Sequence, residues 1–177
     1  MPKFYHFTST FHLPLILKDG VLRTTESNVS YEIEDAGPRV VWFLDVPELG
    51  DAPHGLRGEY QAVDKSEVRF TVELPKSKVL RWAEFSRRYQ QAEQARAAMI
   101  EAGGGPAAAR RWWVTEAPVP RSRWRAVAVR RDEGWVDLGD ADLDDIAEAP
   151  IDYEQVYLGG GRYDIRLRGE ESSETNE

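Results

Sequence analysis

The sequence predicts an α+β fold built on a mostly antiparallel sheet. Three observations predict it. Short apolar runs read as strands at residues 3–7, 40–44, 68–74, 112–114 and 124–129. Only two segments have helical character, one short and one long. The later strands are joined by Pro- or Gly-marked turns, as antiparallel neighbours are. At 177 residues the chain fits one domain with a sizeable core. The domain is read as residues 1–168. The remaining 169–177 form a Glu/Ser/Thr/Asn-rich tail that is expected to be disordered.

The first strand covers residues 3–7. Ser9 or Thr10 is placed to cap a short helix, Pro14 is tolerated in its first turn, and Leu13, Ile16 and Leu17 form its apolar stripe. Gly20 is the expected C-cap. Residues 23–38 are polar, end in Gly37-Pro38 and read as a loop. Val40 to Leu44 is continuously apolar, hence a buried strand. Asp45 to Asp64 is loop-like, with Pro47, Gly50, Pro53, Gly55 and Gly58. Val68 to Leu74 alternates, with Val68, Phe70, Val72 and Leu74 on one face. Lys78 to Trp82 extends or repeats it. Trp82 to Ala102 reads as one helix, ended by Gly103-Gly104-Gly105-Pro106. Trp112 to Val114 and Trp124 to Val129 read as strands joined at Pro118-Val119-Pro120. Tyr153 to Leu158 and Tyr163 to Leu167 read as a hairpin around Gly159-Gly160-Gly161.

Composition removes several function classes. Hydrophobic residues at 41% and aromatics at 11% agree with a globular protein. A net charge of −8 argues against a surface that coats nucleic acid generally. No run approaches 18 apolar residues, so no membrane span is expected. No signal peptide is visible, and the expected location is cytoplasmic. With no Cys there is no disulfide and no thiolate nucleophile. The histidines are His6, His12 and His54, without the spacing of a metal motif, so no metal is expected. Neither a phosphate-binding Gly loop nor a G-x-S-x-G elbow is present.

Charge is uneven along the chain. Arg110, Arg111, Arg121, Arg123, Arg125, Arg130 and Arg131 precede an acidic stretch from Asp132 to Glu148. One reading makes that stretch a solvated loop that neutralises its basic neighbours. The other makes the arginines a groove for a polyanion, or the acidic segment a mimic of one.

Six positions carry possible chemistry. His6 and Thr8 share a strand face, because Cβ direction alternates with period two. A strand histidine is either satisfied by backbone or, with a hydroxyl beside it, a clamp for a ribose and an amide. Ser9 lies on the opposite face but near enough to the strand end to reach in. Trp42 and Phe43 are either core or one wall of a pocket for a flat heteroaromatic ring. Glu116 ends the Trp112 strand. It is either a solvated strand end or a carboxylate that stabilises positive charge on a sugar anomeric carbon. Glu73 and Glu26 are weaker candidates for that role.

Tyr5-His6-Phe7-Thr8-Ser9, followed by Leu13-Pro14-x-Ile16-Leu17-x-x-Gly20-x-Leu22, resembles the opening of ADP-ribosyltransferase-fold proteins. The similarity is to DarT-like toxins that modify DNA and, more distantly, to RNA 2′-phosphotransferases. The layout, with Glu26-Ser27-Asn28 and Asp64-Lys65, is also similar to a set of phage- and bacterium-borne proteins. The resemblance covers most of residues 3–130, and His6-x-Thr8 is its specific part. It implies a split, mostly antiparallel sheet with a few flanking helices. It implies NAD as substrate, gripped at the nicotinamide-ribose end by His6 and Thr8, with Ser9, Trp42 and Phe43 lining the pocket. It implies transfer of ADP-ribose, or NAD glycohydrolysis; His6 and, from its place at the strand end, Glu116 are the residues expected to be catalytic. The acceptor, nucleic acid or protein, is expected near Arg110, Arg111, Arg121, Arg123 and Arg125. An inactive nucleotide- or protein-binding module on the same fold is the alternative. The chain departs from the DarT-like pattern at one position. Those toxins place Glu immediately before the apolar strand, where Arg111 stands here.

Overall fold

In the computed structural model, Lys3–Thr8 forms the central strand β1. The structure describes residues 1–25, 37–50, 54–57 and 63–151, and the backbone of 153–159 and 162–167. The Glu26-Ser27-Asn28 loop and the 169–177 tail fall outside the described residues.

The further strands are β2 (Val21–Leu22), β3 (Val41–Leu44), β4 (Val68–Glu73), β5 (Leu80–Arg81), β6 (Trp112–Thr115), β7 (Val119–Pro120), β8 (Trp124–Arg131), β9 (Gly134–Asp137), β10 (Tyr153–Gly159) and β11 (Arg162–Leu167). The helices are α1 (Leu13–Asp19), α2 (Trp82–Arg88), α3 (Glu93–Ala102), α4 (Gly105–Ala109) and α5 (Asp140–Glu148). Seven strands form one antiparallel sheet in the order β5-β6-β3-β1-β4-β8-β9. β2 pairs with β7, and β10 with β11, in two small antiparallel sheets. The α+β class and the antiparallel sheet are as the sequence predicts.

Period-two alternation gives the sheet two unlike faces. One face carries Phe4, His6 and Thr8 of β1, Val41 and Phe43 of β3, and Val68, Phe70 and Val72 of β4. It buries the main core against Leu13 and Leu17 of α1, Leu143 of α5, and Leu22 and Val119 of the β2–β7 pair. We call it the histidine face. The opposite face carries Trp42, Leu44, Trp112 and Val114 and packs on Trp82 and Phe85 of α2. We call it the tryptophan face.

Sequence and structure differ in three places, each for a local reason. The expected single helix over Trp82–Ala102 is two helices, because Gln90 adopts a left-handed φ of 51° and the Gln91 amide turns back to the Ser86 carbonyl. The chain resumes after Gly103 as α4 rather than staying irregular, with a proline in its first turn. The acidic stretch is not a plain loop. It contains β9, which pairs with β8, and α5, which packs Leu143 and Ile146 onto the core. Two glycines are required by geometry. Gly20 closes α1 at φ 65°, donating to the Ile16 and Leu17 carbonyls. A Cβ on Gly103 would overlap the six-membered ring of Trp112.

Candidate functional site

The upper end of the sheet is where β1 finishes and β4 begins. Thr8 pairs with Val68 there, and Val68 with Val129. His6 lies just below, on the histidine face, with its ring edge-on to Phe43 at 6.2 Å between centroids and tilted against Phe70 at 6.3 Å. Its Nδ1 is 3.0 Å from the Trp42 carbonyl of the neighbouring strand. A carbonyl only accepts, so Nδ1 carries the proton and Nε2 keeps its lone pair. Burial, the largest influence, holds His6 at about 4, well below the usual 6.5. The ring is therefore neutral at physiological pH, and Nε2 is fixed as a hydrogen-bond acceptor.

Thr8, on the same face, is buried, and its hydroxyl makes no hydrogen bond to another described residue. Ser9 is also buried, where the chain turns into α1. Its Oγ accepts from the His12 amide at 3.2 Å and lies 2.8 Å from His12 Nδ1. The expected capping role thus takes the form of a turn one step ahead of α1, whose N-cap residue is His12. With Oγ donating to Nδ1, the neutral His12 ring carries its proton on Nε2. Burial again pushes His12 down to about 4, with Lys65 and His6 adding smaller effects.

Lys65 completes this corner. Its loop is tied down at three points. The Lys65 amide donates to the Leu56 carbonyl at 2.8 Å. Asp64 accepts from the Ser66 amide at 2.7 Å and from the Ser66 hydroxyl. Glu67 accepts from the Thr10 amide at 2.9 Å and the Thr10 hydroxyl at 2.7 Å, which pins the loop to the end of β1. The Lys65 amine is half-buried and lowered by burial, and its charge acts on both imidazoles.

The structure therefore brings together His6, Thr8, Ser9 and Phe43, which the sequence singled out, with His12 and Lys65, which it did not assign to a site. It separates the rest. Trp42 meets His6 only through its carbonyl; its ring lies on the tryptophan face, 6.4 Å from Trp82 and 6.2 Å from Trp112. Of the expected aromatic pair, only Phe43 shares the side of His6. Glu116 follows Thr115 at the end of β6 and turns to the tryptophan face. It accepts from the Tyr89 hydroxyl at 2.9 Å and sits 3.9 Å from the Arg88 guanidinium. Glu73 is at the lower end of β4, bonded to Arg125 at 2.8 Å. Glu26 is outside the described residues.

The arginines do not form one groove. Arg110 and Arg111 precede β6, whereas Arg121 and Arg123 precede β8 and Arg125 lies on it. Those two strands stand four spacings apart, about 19 Å. Arg121 pairs with Asp144 at 3.4 Å and Arg125 with Glu73 at 2.8 Å. All five belong to the lower end, away from Thr8. At the upper end, Arg130 and Arg131 line an open cleft with Arg57, Asp64, Ser66, Glu67 and Asp132.

Among the described residues no group of three or more His, Asp or Glu side chains is placed to hold a metal ion. Nor is any described helix long and apolar enough to cross a membrane. Comparison with protein-family models, curated proteins and solved structures finds no match.

Proposed function

We propose that this chain binds a nucleotide of the NAD or ADP-ribose type at the His6–Thr8 corner, in the manner of the ADP-ribosyltransferase-fold proteins its opening resembles. The observation that carries the reading is the bond from His6 Nδ1 to the Trp42 carbonyl. It leaves Nε2 as an acceptor for a sugar hydroxyl, and Thr8 adds a hydroxyl that can donate or accept. Phe43 supplies an apolar wall on the same side.

Transfer chemistry needs more. When nicotinamide leaves, positive charge develops on the ribose, and a nearby carboxylate stabilises it. Glu116 is bonded to Tyr89 on the other side of the sheet, and Arg111 stands where the DarT-like toxins have their acid. The geometry therefore favours nucleotide binding over ADP-ribosyl transfer with Glu116 in its present position. The transferase reading keeps one supporting observation, the neutral imidazole of His6, whose Nε2 keeps its lone pair and is suited to orient or deprotonate a hydroxyl.

Titration with NAD and ADP-ribose in a thermal-unfolding assay tests the binding. A ligand specific to the native state raises the midpoint by mass action. His6→Ala and Thr8→Val variants are expected to lose that rise while remaining folded. No rise with either nucleotide in the wild type would remove the reading. Incubation with nicotinamide-labelled NAD and DNA, RNA or protein acceptors decides transfer. Release of nicotinamide would establish an enzyme.

A further inference from the structure

We propose that the β9 edge of the main sheet is a docking strip for an extended segment of another protein, basic in its N-terminal half and apolar at alternate positions. The proposal is independent of the nucleotide reading and concerns a different part of the sheet.

The main sheet ends in two strands, β5 and β9. β5 is two residues long and runs directly into α2. β9 has four residues and pairs, in regular register, with β8 alone among the described residues. Its hydrogen-bonding phase is fixed from both sides of β8. The Leu138 amide donates to the Val127 carbonyl at 2.8 Å, and the Arg130 amide donates away from β9, to the Glu67 carbonyl at 2.7 Å. In an antiparallel pair, residues that exchange hydrogen bonds alternate with residues that do not. Gly134, Val136 and Leu138 therefore bond to β8. The amides and carbonyls of Trp135 and Asp137 point to the open side. Two donors and two acceptors at strand spacing are what a further strand needs.

Edge strands are commonly blunted by proline, a β-bulge or lysine, and β9 has none of these. Val136 is 49% exposed, one of the large apolar side chains left in solvent with Met1 and Leu15. At the turn end a Cβ on Gly134 would meet nothing within 4 Å, so the approach is open there too.

Charge selects the occupant. In the turn, Arg130 and Arg131 are followed by Asp132 and Glu133, and the two signs balance. At the far end, Asp144 is taken by Arg121, whereas Asp137 and Asp140 are exposed and make no ion pair with another described residue. A strand added antiparallel, as every pair in this sheet is, brings its N-terminal half beside Asp137 and Asp140. A cationic residue opposite Asp137 makes a cross-strand pair. The residue opposite Val136 lies on the other face, where an apolar side chain covers the exposed valine. A second copy of the chain fits less well, because each copy carries a net charge of −8.

Hydrogen exchange and NMR titration of the full chain with the end-blocked peptide Lys-Thr-Val-Lys-Val-Thr-Val test this. Its second lysine stands opposite Asp137 and its second valine opposite Val136. In the free chain the Trp135 and Asp137 amides are expected to exchange fast, and the Val136 and Leu138 amides slowly. The peptide should slow the first two selectively. N-methylation of its second lysine and second threonine, whose amides would donate to Asp137 and Trp135, should weaken binding about tenfold or more. Replacement of both lysines by glutamate should do the same, and Asp137→Lys should reverse the preference between the two peptides. Trp135 and Asp137 amides already protected in the dilute free chain would overturn the proposal, since the chain itself then covers the edge. Protection that rises with protein concentration alone gives the edge to a second copy and overturns it too. So does equal binding of the N-methylated peptide, which means charge attraction without strand pairing, or equal binding of the glutamate peptide. Absence of binding by the lysine peptide also removes it.

Discussion

Along β3 and β6, successive residues face opposite ways, and the two sides they build differ in kind. Phe43 and Trp113 point to the side of His6, Thr8 and Lys65, where buried hydroxyls and imidazoles sit at the edge of an apolar core. Trp42, Trp112 and Val114 point to α2, into a cluster of rings with centroid distances of 5.1 to 6.4 Å between tryptophans. One side holds polar groups with capacity to spare; the other is packed for stability. A change of one position along either strand moves a side chain from one regime to the other. Substitutions on the tryptophan face should therefore lower stability without a specific effect on ligand binding. Substitutions on the histidine face at the upper end should do the opposite.

The largest effect is expected on the tryptophan face. Trp82 is 2% exposed and contacts both Trp42 and Trp112. Trp82→Ala should cost about 3–5 kcal/mol, read from urea unfolding. At temperatures where the variant is folded, its nucleotide affinity should match the wild type. A specific loss of affinity would show that the two faces are not independent. Gly103→Ala comes next on the same face. The added methyl meets the Trp112 ring, and overpacking of this kind costs about 1–3 kcal/mol. An unchanged midpoint would mean that α3 or the ring gives way freely.

The histidine face should register in the pH dependence. His6 and His12 are both held at about 4 when folded, against an ordinary value of about 6.5. Between those values the unfolded chain binds protons that the folded chain does not. Stability from this source is complete above about pH 6.5 and is lost as pH falls toward 4. Each histidine adds a slope of up to about 1.4 kcal/mol per pH unit at its steepest. Urea unfolding between pH 4.5 and 7 should show this slope, and His6→Gln should remove about half of it. Identical slopes in the two proteins would refute the assignment of His6 as a buried neutral base.

How much of this was legible from sequence follows from the range of the interactions. β1, α1 with its Gly20 cap, β3, β4, β6, β8 and the β10–β11 hairpin are local patterns, and residue types alone mark them. The break between α2 and α3 carries no Gly or Pro; it rests on Gln90 taking a left-handed φ, a tertiary choice. α5 is short and acid-dense, yet Leu143, Ile146 and Ala147 at i, i+3 and i+4 were a readable signal. At the site, period two correctly joined His6 and Thr8. The same rule, applied across Trp42-Phe43 and Thr115-Glu116, would have split each pair between faces. Lys65 and His12 lie 59 and 6 residues from His6 in the chain, and only the pairing of β1 with β4 brings Lys65 near.

The smallest expected effect discriminates most sharply between the two functional readings. Glu116 and Tyr89 form an exposed pair, with the Tyr89 hydroxyl raised above its ordinary range chiefly by its hydrogen bond to Glu116. Such surface contacts contribute below about 1 kcal/mol, so Glu116→Ala and Tyr89→Phe should both unfold nearly as the wild type does. If the chain only binds nucleotide, Glu116→Ala leaves its affinity for ADP-ribose untouched. If instead the wild type releases nicotinamide from NAD, the two variants separate. Glu116→Ala then abolishes release only if the carboxylate leaves Tyr89 and reaches the ribose. In that case Tyr89→Phe, which frees the carboxylate, should preserve or raise the rate. Release that survives Glu116→Ala assigns the stabilising charge to another group and leaves Glu116 as a strand-end contact of α2.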